Sequence, residues 1–443
     1  MRLPVILLPL FLAACSREAA PAPEVDGDAA VKIEQRLGED WRVDIALKQP
    51  TAALDLGPAI DGYRARHWRI ETPGVRLATR GGRDYLETGA ARKFSRVDIR
   101  VEPAPVDLHK DYEPFIPLGD GAVIFYTGHV TPFRDATTRM QAKLTIVAAA
   151  GAQVYAFGAR APTLADWESP YDHPAFLYIG SAPPRESDTL VTIADATAPA
   201  WISDEIATLA PAIGAALHSL FSRSLPTKPT ILVAMGDLSE EGRLSYSGDA
   251  LPGQYQMTLA GGAWRQSSPQ ALAVLRRTTA HEAAHLWQAA TRPRADSVPN
   301  WIHEGGADAL AAEAMAAAGY WTAAEKAADF DRARRDCAAG LERQSLHKAE
   351  AEARWPAVYA CGHVLNIAAA GGGDVASLWR ELVRRAGNEG YDEAMFLALA
   401  EDRAGAEAVS AMRDLLRISD ARPDFAIARM LGEAPDLAAG EGR

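Results

Sequence analysis

The chain is poor in three things. Cysteine occurs three times in 443 residues, so at most one internal bridge can form beside a leftover thiol. Cations are outnumbered, with 46 Lys and Arg against 58 Asp and Glu for a formal charge of −12. No basic block stands out, which excludes nucleic acid as an expected partner. Long apolar runs are missing as well: the stretch from Leu3 to Ala14 is too short to span a bilayer. An internal repeat is also absent. The bulk composition, 48% apolar and 23% charged, is ordinary for a globular protein, and the length suffices for two or three domains.

The first residues read "MRLPVILLPLFLAAC": one cation, Arg2, then the apolar run, ending Leu12-Ala13-Ala14-Cys15. Small residues ahead of a cysteine resemble a bacterial lipoprotein signal. The resemblance implies that residues 1–14 are removed and that Cys15 is lipidated, and two or more acyl chains hold a protein stably on a membrane. Ser16 follows where an aspartate would mark the other sorting route. The expected location is therefore the cell envelope, on the outer membrane facing the periplasm. An exported compartment permits Cys337 and Cys361 to pair; the alternative is two small buried hydrophobes.

Residues 15–30, rich in Pro, Ala and acids, read as a disordered tether. From 31 to 195, period-2 runs dominate. Trp41, Val43, Ile45 and Leu47 alternate with polar residues, as do Val97, Ile99 and Val101, and Met140, Ala142, Leu144 and Ile146. Such runs between Gly, Pro and Asp turns predict an antiparallel β domain. His67, His109, His129 and His173 are scattered through it and read as surface or packed histidines. From 196 the pattern turns helical, with short apolar strands at "KPTILVAMG" and "GQYQMTLAGGAW" and then helix almost throughout to 430. An α/β lobe to about 320 precedes a helical lobe, and residues 431–443 read as a flexible tail.

Chemistry concentrates in "HEAAHLWQAATRPRADSVPNWIHEGGADAL". Ser268 and Pro269 make a good helix start. On that helix His281 and His285 stand four residues apart and so project from one face. Pro293 ends the helix, and Asn300 is expected to cap a returning one. Glu304 then lies about 6 Å into the return while His285 lies about 9 Å before the first helix ends, so the depths nearly match. Two imidazoles and a carboxylate leave a fourth position open to water, which is the catalytic kind of zinc site, one ion per chain. Glu282 points about 100° away around the helix, where it can flank that water without ligating.

His-Glu-x-x-His, with a glutamate after eighteen intervening residues, resembles the gluzincin metallopeptidases, in the branch of aminopeptidase N and glycyl aminopeptidase. "NWIHEGGADAL" is similar to that branch's block around the third ligand. Asp308 stands where relatives keep an aspartate on a zinc histidine. "RWPAVYACGHVL" resembles the family's Tyr-x-Lys-Gly segment. The match implies that Tyr359 bonds the developing oxyanion, with Gly362 in the glycine position and Cys361 replacing the lysine. A Cys337–Cys361 bridge would then anchor the segment carrying Tyr359. The resemblance implies an α+β fold in which the β domain is followed by a thermolysin-like, mostly helical catalytic domain at 196–430. The large C-terminal helical domain of many relatives is accordingly not expected after Tyr359.

One departure bears on specificity. Aminopeptidases of this kind bind the substrate's free amine with a glutamate on a Gly-rich edge strand. The nearest segment is "LAGGAWRQ", where Trp264 occupies the glutamate's place and Gly261 and Gly262 permit a peptide backbone to approach. The substrate cleft is thus expected at Gly261, Gly262 and Trp264, with the strand from Tyr255 to Leu259 pairing with the substrate and the anchoring charge missing. The resulting expectation is a membrane-tethered zinc peptidase acting on peptides or proteins. The alternative is a peptidase-like lipoprotein that binds peptides or envelope partners with little turnover.

Overall fold

The computed structural model describes residues 25–89, 92–108, 111–171, 173–288, 299–387, 389–419 and 422–433. The signal-like segment, Cys15, most of the tether, His109, the turn holding Pro293 and the tail from 434 lie outside the described residues; the expected end of the tether at residue 30 is corrected, since Ala29 and Ala30 already belong to a strand and Asp26 pairs with Lys143.

The β domain is built from alternation. Strands β1 (Ala29–Glu34), β2 (Trp41–Thr51), β4 (Trp68–Ile70), β7 (Phe94–Val101), β10 (Ala142–Val147) and β13 (Thr163–Trp167) form one sheet, in the order β13-β10-β1-β2-β7-β4. Its register places Val31 opposite Ile45 and Val43 opposite Ile99, so one apolar row points inward. The pairing is antiparallel except between β1 and β10, which run parallel. They are distant in sequence, so no tight hairpin joins them and parallel alignment is open to them. A three-stranded sheet of β3 (Ala53–Pro58), β5 (Val75–Arg80) and β6 (Arg83–Thr88) adjoins it, and α1 (Tyr63–His67) is a single turn.

A second sheet, β8 (Phe115–Pro117), β9 (Val123–Tyr126), β11 (Gln153–Ala156), β12 (Ala159–Ala161) and β14 (Phe176–Gly180), has both faces covered. Phe115, Phe125, Leu177 and Ile179 pack into the core of the first sheet. Ile124, Tyr126, Phe176 and Tyr178 pack against a third sheet.

That third sheet couples the β domain to the helices. It contains β15 (Arg185–Glu186), β16 (Val191–Ala194), β17 (Thr230–Met235), β18 (Ser245–Leu251) and β19 (Gln254–Ala260), in the order β15-β16-β17-β19-β18. Ile193, Leu232 and Ala234 face the β domain, whereas Ile231, Val233, Tyr255, Met257 and Leu259 face the helical core. β19 is an interior strand, paired parallel with β17 and antiparallel with β18. The expectation that Tyr255–Leu259 offers a free edge is therefore corrected. β18 covers it and is itself the edge.

The helices are α2 (Ala200–Phe221), α3 (Pro269–Gln288), α4 (Asn300–Ala317), α5 (Ala323–Gly340), α6 (Leu346–Ala351), α7 (Trp355–Ala369), α8 (Val375–Ala386), α9 (Glu393–Ala404), α10 (Ala406–Arg417) and α11 (Pro423–Met430). The Ser268 hydroxyl accepts from the Ala271 N–H at the start of α3, as its sequence predicts. At α4 the cap is Pro299, without a side-chain bond. Asn300 is the first helical residue, and Glu350 accepts from its backbone N–H and from its Nδ2. A carboxylate from another helix thus satisfies this end and complements its positive pole. Among the described residues no helix is long and apolar enough to cross a membrane.

Candidate active site

Helices α3 and α4 bring His281, His285 and Glu304 together, with one ligand atom from each lying within 4.8 Å of the others. His281 Nε2 and His285 Nε2 are 3.2 Å apart, and each is 3.3 Å from Glu304 Oε2. Both rings are committed on their other side. His281 Nδ1 donates to Asp308 Oδ1 at 3.0 Å. His285 Nδ1 donates to Gln288 Oε1 at 2.7 Å. Gln288 Nε2 donates in turn to the His303 carbonyl at 2.9 Å, which fixes the amide's orientation. A neutral ring that donates from Nδ1 carries its lone pair on Nε2. In the neutral form that a ligand must adopt, both Nε2 lone pairs would face the carboxylate oxygen, and a metal ion bound there would displace the proton that Asp308 and Glu304 favour on His281. Ligand atoms about 2.0–2.1 Å from a tetrahedral zinc ion stand roughly 3.3 Å apart, and the spacings here fit that set.

The surroundings tune these groups. Burial disfavours charge on His281, but Asp308 and Glu304 outweigh it and hold its pKa well above the ordinary histidine value. Burial likewise works against ionised Glu304, yet His285 and His281 draw it well below the usual carboxylate range. Asp308, despite burial, is drawn down to about 2 by His281 and Arg277. Glu282 behaves oppositely: burial raises it, and the neighbouring histidines only partly compensate. A carboxylate that resists ionisation beside a cation site is a good proton acceptor. The room for it comes from Gly248 on β18, where a Cβ would stand 3.1 Å from Glu282 Oε1.

Tyr359 on α7 lies over the first ligand, its ring stacked on His281 at 5.8 Å and 19°. Burial and the nearby Glu304 carboxylate push its hydroxyl upward, so it remains a proton-bearing donor at neutral pH. Cys337 on α5 and Cys361 on α7 are joined in a disulfide, two residues from Tyr359. His303 stacks on His285 at 4.5 Å and bonds Tyr391 through Nδ1. Gln288 escaped the sequence reading, though it stands three residues after His285, close enough on the helix to have been found by spacing; His303, which reads from sequence as structural, packs against a ligand ring.

A cleft of about 1060 Å3 opens on the site between β18 and α5, with Tyr246, Ser247 and Gly248 on one wall and Ala328, Asp329 and Arg332 on the other. Gly261, Gly262 and Trp264 do not line it, which corrects the expected cleft. Trp264 is wholly buried. Its Nε1 donates to the Ser245 carbonyl, and its ring stacks on Trp201. Gly261 has φ 102°, and a Cβ there would meet the Arg243 carbonyl. These residues support the root of β18 from beneath, because a large apolar ring gains more from burial than from facing the cleft. An acid stands on β18 beside the cleft without itself lining it. Asp249 on β18 accepts from Gln256 Nε2 at 3.0 Å and lies close enough to Glu282 to raise it. Glu113, from the β domain, is raised to about 7 by burial, Asp249 and Asp107.

Comparison with solved structures follows the same lines. An aminopeptidase N family protein from Idiomarina loihiensis superposes with a TM-score of 0.67 at 12% identity, over 90% of this chain and 77% of its own. The fold is that of the M1 zinc metallopeptidases. One of these from Deinococcus radiodurans, solved with a Tyr-Ser-Ala substrate, matches at TM-score 0.51 and 18% identity, over 88% of this chain and 94% of its own. Yeast LTA4 hydrolase matches at 0.50 and 11%, over 93% and 72%. No family model and no curated protein matches the sequence itself. The M1 fold, a β domain followed by a mostly helical one, is the α+β architecture that the resemblance implies.

Proposed function

We propose that this protein is a zinc-dependent peptidase that hydrolyses peptide bonds in extended chains. The observation that carries the reading is the convergence of His281 Nε2, His285 Nε2 and Glu304 Oε2, with both histidines committed through Nδ1. Zinc bound there would acidify a water molecule and polarise the scissile carbonyl. Glu282 takes the water's proton and passes it to the departing amine. The Tyr359 hydroxyl donates to the oxygen on which negative charge develops. Asp308 and Gln288 keep the two imidazoles in the tautomer and orientation that ligation needs. The free edge of β18 pairs with the substrate backbone.

Asp249 and Glu113 place two carboxyls together at β18, where burial and neighbouring carboxylates raise both, so a free amino terminus is the natural occupant there, as the cation that would hold them ionised. This supports removal of residues from the amino end. The Idiomarina relative is named for the aminopeptidase N family, and a Deinococcus relative was solved with a tripeptide; both agree with that reading. The alternative of a binder with little turnover drew on Trp264 in place of an anchoring acid, a motive removed by the burial of Trp264 behind β18. Lipidation of Cys15, with tethering to the outer membrane on its periplasmic side, completes the proposal and rests on the sequence around Cys15.

The test is cleavage of a mixed peptide library by the soluble form lacking residues 1–15, with and without chelator, alongside metal analysis. Stoichiometric zinc and chelator-sensitive release of amino-terminal residues are expected. A metal-free protein that cleaves nothing would overturn the reading.

A further inference from the structure

Arg277 stands one helical turn before His281 on α3, so the two side chains share a face. Its Nη2 lies 3.4 Å from Asp308 Oδ1, the same oxygen that accepts from His281 Nδ1. Its other terminal nitrogen pairs with Asp329 Oδ1 on α5. Asp329 is 4% exposed and also pairs with Arg332 from its own helix. Helix α5 is bonded through Cys337 to Cys361 on α7, the helix that presents Tyr359.

We propose that Arg277 is a positioning residue that fixes His281 through Asp308 and, with the same guanidinium, holds the α5 wall of the cleft through Asp329. The inference rests on reading His281, His285 and Glu304 as the zinc ligands. Two carboxylates, the part-buried Asp308 and the buried Asp329, approach one point from different helices, and a cation between them offsets their mutual repulsion. A planar guanidinium with five donors serves both at once, which a single ammonium cannot do with the same geometry. Among the described ion pairs, Arg277–Asp329 is the one that joins α3 to α5. Arg332 neutralises Asp329 without reaching the ligand's support, so the two arginines have separable roles.

The experiment compares the wild type with Arg277→Gln, Arg277→Lys and Arg332→Gln, each as the full folded protein. Zinc affinity is read by chelator competition, and kcat and KM are read on a tripeptide. Removing a ligand's outer support typically weakens metal binding about 10- to 100-fold. Arg277→Gln is expected to lose about tenfold in zinc affinity and to raise KM, Arg277→Lys to recover part of both, and Arg332→Gln to keep wild-type zinc affinity. Unchanged zinc affinity in Arg277→Gln, or an equal loss in Arg332→Gln, overturns the assignment while leaving a zinc-loaded, active wild type. If Arg277→Gln does not fold, the lysine variant decides: zinc affinity and KM both equal to wild type would overturn the proposal. A wild type without zinc removes the parent reading as well.

Discussion

Gly305 on α4 faces Gly362 on α7 so closely that a Cβ on Gly305 would lie 2.2 Å from the Gly362 carbonyl carbon, and a Cβ on Gly362 would lie 2.1 Å from the Trp301 carbonyl oxygen. Backbone meets backbone at this crossing. Glu304 adjoins one glycine and Tyr359 lies one turn before the other, so the contact sets the distance between a metal ligand and the proposed oxyanion donor. Gly305→Ala must push the helices apart. Overpacking of a dense core costs about 1–3 kcal/mol, and here the strain falls beside Glu304. We expect a lower melting temperature together with weaker zinc binding; a variant that melts and binds zinc like the wild type would show that the crossing has slack.

Glu282→Gln should retain zinc, because Glu282 is not among the converging ligand atoms, yet lose about 10²- to 10⁴-fold in turnover through loss of the general base. Metal analysis beside steady-state kinetics checks both halves. Undiminished kcat in a zinc-loaded variant would remove Glu282 from the mechanism.

Tyr359→Phe keeps the ring stacked on His281 and deletes only the hydroxyl. Its bond belongs to the transition state, so kcat should fall more than KM rises. A change confined to KM would reassign Tyr359 to substrate binding.

Asp249→Asn should raise KM for peptides with a free amino terminus by more than it does for their N-acetylated counterparts, since charge pairing is lost only with the former. Equal effects on both substrates would leave the acid without an amine to hold.

Glu113 makes a pH prediction. Burial, Asp249 and Asp107 raise its carboxyl from 4.5 to about 7, so the folded state binds a proton more tightly than the unfolded chain. Stability linked to this group is therefore fully present below about pH 4.5 and declines as pH rises through 7. Glu113→Gln removes that dependence. Its melting temperature should exceed the wild type's at pH 8 and approach it at pH 5. A constant difference across that range would mean that the group does not titrate there.

Local periodicity made the helices of the site legible. A four-residue step puts His281 and His285 on one face whatever surrounds them, and the Ser268 cap is a short-range signal. The alternation in β2, β7 and β10 was equally readable, because one face of each strand is buried. The order of strands was not. Ser245–Leu251 carries Ser, Gly and Asp, which have weak strand preference, and only its pairing with Gln254–Ala260 makes it a strand. Missing it moved the cleft onto Gly261, Gly262 and Trp264. Arg277 and Asp329 were illegible for a similar reason: an ion pair between helices far apart in sequence leaves no periodic trace.

The position of β18 carries a last consequence. Among the described residues no strand pairs with its outer side, which borders a slot whose opposite side is a helix. If substrate pairs there as proposed, only a polypeptide that has already surrendered its own hydrogen-bonding could align, because helices and paired strands have no spare backbone groups to offer. Selection of this kind acts on conformation before it acts on side chains. Intact globular neighbours would be passed over, while the same proteins, once damaged or half-degraded, would present the ends that fit.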